Sequence, residues 1–255
     1  MEVKIAQLRR YPLKGARGIA ERQLRVNASV GVVGDREFAI RKVPGDVTNR
    51  AEKFDKLEYF VCANTPSMAT EIPQFKRFMQ WYELAPDYLE GLAGRIRAGV
   101  SGDKLMIQKT YGNYHLGDTA GAQVSFINLV TLCALEQSMG ERIVVQPERF
   151  RMNVWITGLP AFAEYEWVGD KWPGSNIMQV GKVRMRIDDA AERCAATHAN
   201  PETGMRDMRI LDALDALMSA RGYKSPHREE TRVMGFYGVV LDEGVINVGD
   251  EIRLL

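Results

Sequence analysis

Four stretches of this chain set a thiol or a cation beside glycine and turn residues, and these are the places where chemistry could sit. In Tyr11-Pro12-Leu13-Lys14-Gly15-Ala16-Arg17-Gly18, Lys14 stands beside Gly15 directly after an apolar, alternating run. An ammonium and backbone N–H groups can then approach one phosphate together; the plain alternative is a surface turn with a solvated lysine. In Gly31-Val32-Val33-Gly34-Asp35-Arg36 a glycine turn delivers Arg36 to the start of a strand. Its planar fork of donors suits phosphate oxygens, and its bland reading is an Asp35 to Arg36 turn pair. In Arg149-Phe150-Arg151-Met152-Asn153 the alternation of a strand would set Arg151 and Asn153 on one face. The fourth stretch, Glu192 to Gly204, carries Cys194 among polar residues ahead of a Pro-Glu-Thr-Gly turn. Cys62 and Cys133 instead have the apolar neighbours expected of inert buried thiols. Arg193 next door favours the Cys194 thiolate, although a half-buried loop cysteine without chemistry fits the same residues.

Other chemistries are absent from the pattern. Three cysteines lying far apart make neither a disulfide framework nor a CxxC motif, and they fall short of the four needed for an ordinary iron–sulfur cluster. One His on the loop with one Cys is not a zinc site. A Cys194–His198 nucleophile pair lacks a third, orienting residue, and Pro201 works against the helical turn it would need. No Gly-x-Gly-x-x-Gly follows an expected strand.

Composition bounds the partners. The 255 residues carry 34 Lys plus Arg against 33 Asp plus Glu, a net charge of +1, with 45% apolar and 26% charged residues. That is a globular composition with a real core, and it gives no general electrostatic case for nucleic acid or an anionic membrane. An anion site must be local, and a single small anion suits Arg151 better than a nucleic acid does. The first ten residues lack a secretory apolar stretch, and Phe126 to Leu135 is too short and too polar to span a bilayer. The expectation is a soluble, cytoplasmic protein.

The elements that must position these residues are mostly strands. Short apolar or alternating runs read as strands from Val3 to Leu8, Gln23 to Val26, Arg36 to Arg41, Leu57 to Cys62 and Lys104 to Lys109. Pro73 and Pro86 cut the segment from Thr70 to Arg97 into one or two short helices over a sheet. After a strand from Gln123 to Ile127, a helix opens on Asn128 as N-cap and stops at Gly140. Further strands follow from Met152 to Thr157, Asn176 to Val180 and Lys182 to Ile187, the last two a hairpin about Gly181. A helix with an Ile210, Leu211, Leu214, Leu217, Met218 stripe runs from about Asp207 to Arg221. Gly235 to Leu241 and Val245 to Leu254 close the chain as a terminal antiparallel pair. The Gly/Asp-rich turn from His115 to Gly121 is the candidate boundary between units 1–120 and 121–255, which can still share a sheet.

Taken together and in this order, the motifs resemble the MOSC proteins, named for the molybdenum cofactor sulfurase C-terminal domain. Tyr11 to Gly18 is similar to that family's usual Tyr-Pro-Val-Lys-Ser-Cys-Arg-Gly, and Gly34-Asp35-Arg36 follows it. Val124 to Thr131, Arg149 to Asn153, Arg193-Cys194, Asn200 to Gly204 and Phe236-Tyr237-Gly238-Val239 through Val248-Gly249-Asp250 complete the series. The resemblance implies an α+β, mainly β fold: a MOSC-type β-barrel with a few helices behind an N-terminal accessory β domain. It implies a site in which Lys14, Gly15, Arg36, Asn128, Thr131, Arg151 and Asn153 hold molybdopterin and its phosphate, with Cys194 bonded to molybdenum. Similarity to amidoxime-reducing members implies an oxidoreductase that removes oxygen from small N-hydroxylated or N-oxide substrates. Its electrons would come from a separate reductase or ferredoxin-like protein. A sulfur carrier holding a persulfide on Cys194 for metal-sulfur cluster or cofactor assembly is the alternative, and a cofactor-storage module a third. Departures from the family pattern are Gly15 for the usual Ser, Met152 for Pro, Asn200 for Asp and His198 for Thr or Val.

Overall fold

The computed structural model describes residues 2–41, 59–78, 81–84, 88, 91–92, 106–109, 123–171, 173–224 and 231–255. Seven strands close a barrel: β1 (Val3–Arg10), β9 (Val124–Asn128), β10 (Val154–Thr157), β11 (Ile177–Val180), β12 (Val183–Glu192), β13 (Val233–Val240) and β15 (Glu251–Leu254). The order around it is β10-β9-β13-β12-β11-β15-β1, with β1 returning to β10, and β2 (Ile19–Glu21) added beside β1. The first half of the chain therefore supplies a stave of the barrel built by the second half.

Among the described strands of the barrel only β9 and β10 run parallel, and parallel neighbours need a crossover. Helix α1 (Leu129–Met139) provides it. Its boundaries follow the capping residues: the Asn128 side chain accepts from Val130 N at 3.0 Å, and Gly140 ends it with φ 127°. Along β1 the buried residues are Ile5 and Leu8, three apart rather than two or four. A register shift between Ile5 and Gln7 against β10 puts both on the inner face.

Inside the barrel the Phe126 and Phe236 rings stack with centroids 4.9 Å apart. Each ring is fully buried, a gain of about 2–3 kcal/mol apiece. Gly235, with φ 79°, lets β13 pass close to β9, since a Cβ there would stand 2.0 Å from the Phe126 carbonyl oxygen. A second apolar layer joins α1 to α3 (Ile210–Ala220) through Leu132, Leu135, Ile210 and Leu214. The short α2 (Glu164–Val168) packs on β12 and β13.

A third layer belongs to the first half: Leu13, Phe38, Ile40, Phe60, Cys62, Met68, Tyr88 and Leu92 cluster with Ala199 from the second half. Phe38 and Ile40 of this layer stand on β5 (Phe38–Arg41), which pairs with β8 (Met106–Lys109), and β6 (Phe75–Phe78) pairs with β7 (Trp81–Leu84).

Several sequence expectations need correction. The chain does not end as a hairpin of its last strands: β14 (Gly244–Asn247) pairs with β3 (Gln23–Asn27), beside β4 (Gly31–Val32), while β15 pairs with β11 and β1. Closing the barrel satisfies the edge of β15, so no free partner remains for β13 at that end. The aromatic-rich segment after Thr70 holds the β6–β7 hairpin, with helical residues only at Tyr88 and Gly91–Leu92 among those described. Of the strand expected from Leu57 to Cys62, the described residues show a bridge at Tyr59 and a turn from Cys62 to Asn64, and Leu57 and Glu58 lie outside the described residues. The candidate boundary from His115 to Gly121 lies outside the described residues. Among the described residues, no helix is long and apolar enough to cross a membrane.

Candidate functional site: a cationic cavity with two thiols

Where the first-half layer meets the barrel, a cavity of about 190 Å³ opens. Its walls come from separated stretches of chain: Lys14 and Gly15; Arg36; Cys62; Ser125; Arg149 and Arg151; Glu192, Arg193 and Cys194; and Tyr237. Five of the lining residues are cationic, against one carboxylate, Glu192.

The geometry explains how cations can be held so closely. Arg151 follows a 3-10 turn, Pro147–Phe150, in left-handed conformation (φ 56°, ψ 45°). Its guanidinium donates to the Ala16 carbonyl and lies over the Tyr11 ring, 4.9 Å from the centroid. Arg36 lies over the same ring at 5.5 Å, pairs with Asp35 and donates to the Arg151 carbonyl at 3.1 Å. The negative face of the ring attracts both guanidiniums and so offsets part of their mutual repulsion. Burial pushes the Tyr11 phenol up to about 12, with Arg151, Arg9 and Arg36 pulling it back. It stays neutral and donates to the Met152 carbonyl at 3.3 Å.

Arg149 is wholly buried and pairs with Asp207 at 2.8 Å. Arg193 donates to the Phe150 carbonyl and to Tyr237 Oη, both at 2.8 Å, and to Met152 Sδ at 3.2 Å. Its charge therefore faces the barrel wall, while Cys194, at the head of the 3-10 turn Ala195–His198, is exposed.

Gly15 takes φ 87°, and a Cβ there would meet Val61 Cα at 2.9 Å and the Phe60 carbonyl at 3.1 Å. The glycine is what lets this loop press against Val61 and keep Lys14 on the cavity wall. Its carbonyl accepts the Cys62 S–H at 2.6 Å. Burial pushes the Cys62 thiol up; Arg151, 3.8 Å away, opposes this, and the Cys194 side chain adds to it.

Of the residues singled out in the sequence, Lys14, Gly15, Arg36, Arg151 and Cys194 line this cavity, and Asn128, Thr131 and Asn153 do not. Asn128 caps α1 and spends its amide on Glu164 Oε2 and the Pro160 carbonyl. The Thr131 hydroxyl accepts from Phe162 N at 2.8 Å. Asn153 clamps the layers behind the cavity: it donates to Asp35 at 3.0 Å and to the Arg9 carbonyl at 3.1 Å, and accepts from the Ser125 hydroxyl at 2.7 Å. Arg151 and Asn153 share no strand face, because β10 starts only at Val154 and Arg151 is left-handed. His198 is not at the cavity wall; burial lowers its pKa and its Nε2 accepts from Leu211 N at 3.3 Å.

Cys62, expected to be an inert buried thiol, is buried but lines the cavity, whereas Cys133, expected to be buried, is exposed on α1 because that helix buries Thr131, Leu132 and Leu135 instead. Arg149, Arg193 and Tyr237 stood inside the quoted motifs, so their positions were available although their roles were not.

A closed barrel of mixed strands, with a cation-rich cavity bearing an exposed thiol at its junction with an accessory layer, defines the class. A family model of the MOSC domain matches residues 111–253. The chain belongs to the MOSC domain family. It is similar to mitochondrial amidoxime reducing component 2 of Macaca fascicularis, 31% identical over 41% of this chain and 29% of that protein. The Bos taurus protein of that name is 27% identical over 55% of this chain and 39% of its own length. The matches thus span well under half of these relatives. Among solved structures, the YuaD protein from Bacillus subtilis aligns with TM-score 0.43 and 11% identity over 99% of this chain and 94% of that one. YiiM from Geobacillus stearothermophilus gives 0.36 and 15% over 72% and 71%.

Proposed function

We propose that the cavity binds a molybdenum–pterin cofactor and that the chain is an oxidoreductase for small N-hydroxylated or N-oxide substrates, supplied with electrons by a separate protein. The observation that carries this reading is that Lys14, Arg36, Arg151 and the exposed Cys194 line one cavity. The donor set fits such a group. Excess cationic charge suits a phosphate-bearing anion, and an exposed thiol offers the soft ligand that molybdenum favours once deprotonated. Among the described residues, no group of three or more His, Cys, Asp or Glu side chains could hold a metal.

In this reading Lys14, Arg36 and Arg151 hold the phosphate, the Gly15 loop supplies close backbone approach, and Cys194 is the protein ligand to the metal. When bound, the cofactor supplies a two-electron couple able to take an oxygen atom from the substrate. The protein keeps Arg36 and Arg151 fixed on Tyr11, so neither guanidinium has to be ordered when the anion arrives. Tyr237 Oη, held by Arg193, offers a polar group at the wall for orienting a substrate. Reduction of an N-hydroxylated substrate consumes two electrons and two protons and releases water.

The test is metal analysis and fluorescence of released pterin, on protein from a host that makes molybdenum cofactor. Wild type should carry molybdenum and Cys194→Ser should lose most of it while staying folded; equal occupancy overturns the reading. Reduced viologen should then drive reduction of a benzamidoxime-like substrate, and NADH alone should not. A metal-free wild type carrying a persulfide on Cys194 would favour the sulfur-carrier alternative.

A further inference from the structure

We infer that Cys62 and Cys194 are an oxidisable pair, a modification site in which peroxide links the two sulfurs as a disulfide across the cavity. The pair comes from opposite halves of the chain yet lines one cavity. Cys62 belongs to the apolar cluster that contains Ala199, and Ala196 packs against that cluster. Ala196 lies on the 3-10 turn that Cys194 opens, and Ala199 directly follows it. The first-half layer that contains Cys62 thus packs on the loop that carries Cys194, and both sulfur-bearing residues line the cavity between them.

The two thiols have complementary surroundings. Cys194 is exposed and meets a dissolved oxidant; Cys62 is buried and does not. The Cys62 sulfur is oriented by its hydrogen bond to the Gly15 carbonyl and lies 3.8 Å from Arg151 Nη1, a cation placed to stabilise the thiolate as it forms.

The chemistry balances. The Cys194 thiolate attacks one peroxide oxygen, the O–O bond breaks, and Cys194 becomes a sulfenic acid while the second oxygen leaves as water after taking a proton. The Cys62 sulfur then attacks the Cys194 sulfur, the S–S bond forms, and the sulfenic oxygen leaves as a second water with the Cys62 proton. Two thiols have lost two electrons and two protons to one peroxide. A dithiol reductant reverses the link by exchange. The product withdraws the Cys194 sulfur from whatever the cavity holds and spares it from irreversible oxidation.

The experiment needs no metal and no activity. The reduced chain is titrated with hydrogen peroxide, remaining thiols are alkylated, and peptides are mapped before and after dithiothreitol. The expected result is loss of two alkylatable thiols together and a Cys62–Cys194 linked peptide that dithiothreitol removes. Cys133, exposed on α1 beside a separate surface depression, should remain alkylatable. In Cys62→Ser, dimedone should trap Cys194 as a sulfenic acid that wild type does not accumulate. Trapping of Cys194 in wild type as heavily as in the variant, or Cys194 linked only between chains, overturns the pair. Because the wild-type peptide map stands alone, a poorly folding variant would not shield the proposal. Loss of molybdenum binding, by contrast, would overturn the proposed function and leave this pair untouched.

Discussion

Asn200 Nδ2 donates to Asp207 Oδ2 at 2.6 Å, and the other Asp207 oxygen meets the buried Arg149 at 2.8 Å. The opposite end of the same amide accepts from Glu202 N at 2.8 Å and Thr203 N at 3.2 Å. Asn200 therefore closes the Pro-Glu-Thr-Gly turn while steadying the carboxylate that neutralises a cavity cation. Burial raises the Asp207 pKa, but the hydrogen bonds from Asn200 and Arg149 outweigh it and hold the carboxyl below its ordinary value.

An aspartate at position 200, usual in the proteins this chain resembles, would set carboxylate against carboxylate here. Asn200→Asp should cost about 1–3 kcal/mol at neutral pH. The cost should shrink near about pH 4, where one of the pair takes up a proton. Chemical denaturation at the two pH values measures it; an equal cost at both would show that lost turn geometry, rather than charge, is responsible.

Gly15 stands where a serine is usual, and the backbone explains the choice. Its φ of 87° and the 2.9 Å approach to Val61 Cα leave no room for a side chain. Gly15→Ser should destabilise by about 1–3 kcal/mol through left-handed strain and crowding, and it should shift Lys14 away from the cavity. Calorimetry reads the first effect. A melting temperature equal to that of wild type would mean that this loop relaxes freely.

Arg36 is tied into the cavity wall by contacts that truncation would remove. Arg36→Ala removes the ion-pair partner of Asp35, whose side chain is only 5% exposed, and the bond to the Arg151 carbonyl. Asp35 keeps its contacts with Tyr11 N and Asn153, so the stability loss should be about 2–3 kcal/mol rather than unfolding. Arg36→Ala/Asp35→Asn should recover part of that loss in a double-mutant cycle. Additive single effects would show that the pair contributes nothing beyond its separate neighbours.

The sequence was most legible where one local rule decides. Asn128 and Gly140 bound α1 as a cap pair should, and Gly181, with φ 58°, turns the β11–β12 hairpin. Closure of the barrel was not legible, because the partners of β15, namely β1 and β11, are both distant from it in sequence and β-strands carry no mark of their neighbours. The cavity was legible as motifs without their geometry. Lys14, Arg36 and Cys194 stood beside glycines or in polar turns, whereas Cys62, apolar in its surroundings, gave no sign that the first-half layer would carry it to the cavity wall. Asn128, Thr131 and Asn153 illustrate the converse. Their side chains suit an anion site, but buried backbone groups and carboxyls claim them first.

The fully buried Glu164 gives the protein a pH dependence of opposite sign to that of its lowered carboxyls. Burial raises its pKa above the ordinary 4.5, partly offset by hydrogen bonds from Asn128 and Thr131 and by the charge of Arg221. The folded state therefore holds this proton more tightly than the unfolded chain does. Stability from this group is fully present below the ordinary value and is lost as pH rises through the raised one. Asp207, Asp215 and Asp242, all lowered, contribute the reverse, so the wild-type curve alone mixes the two. Glu164→Gln isolates the first: its amide oxygen still accepts from Asn128, and it has no proton to lose. Relative to wild type, the variant should gain stability as pH is raised from about 4 to 7, by denaturant midpoints taken at each pH. Curves that stay parallel across that interval would mean that Glu164 ionises in the fold as readily as in the unfolded chain.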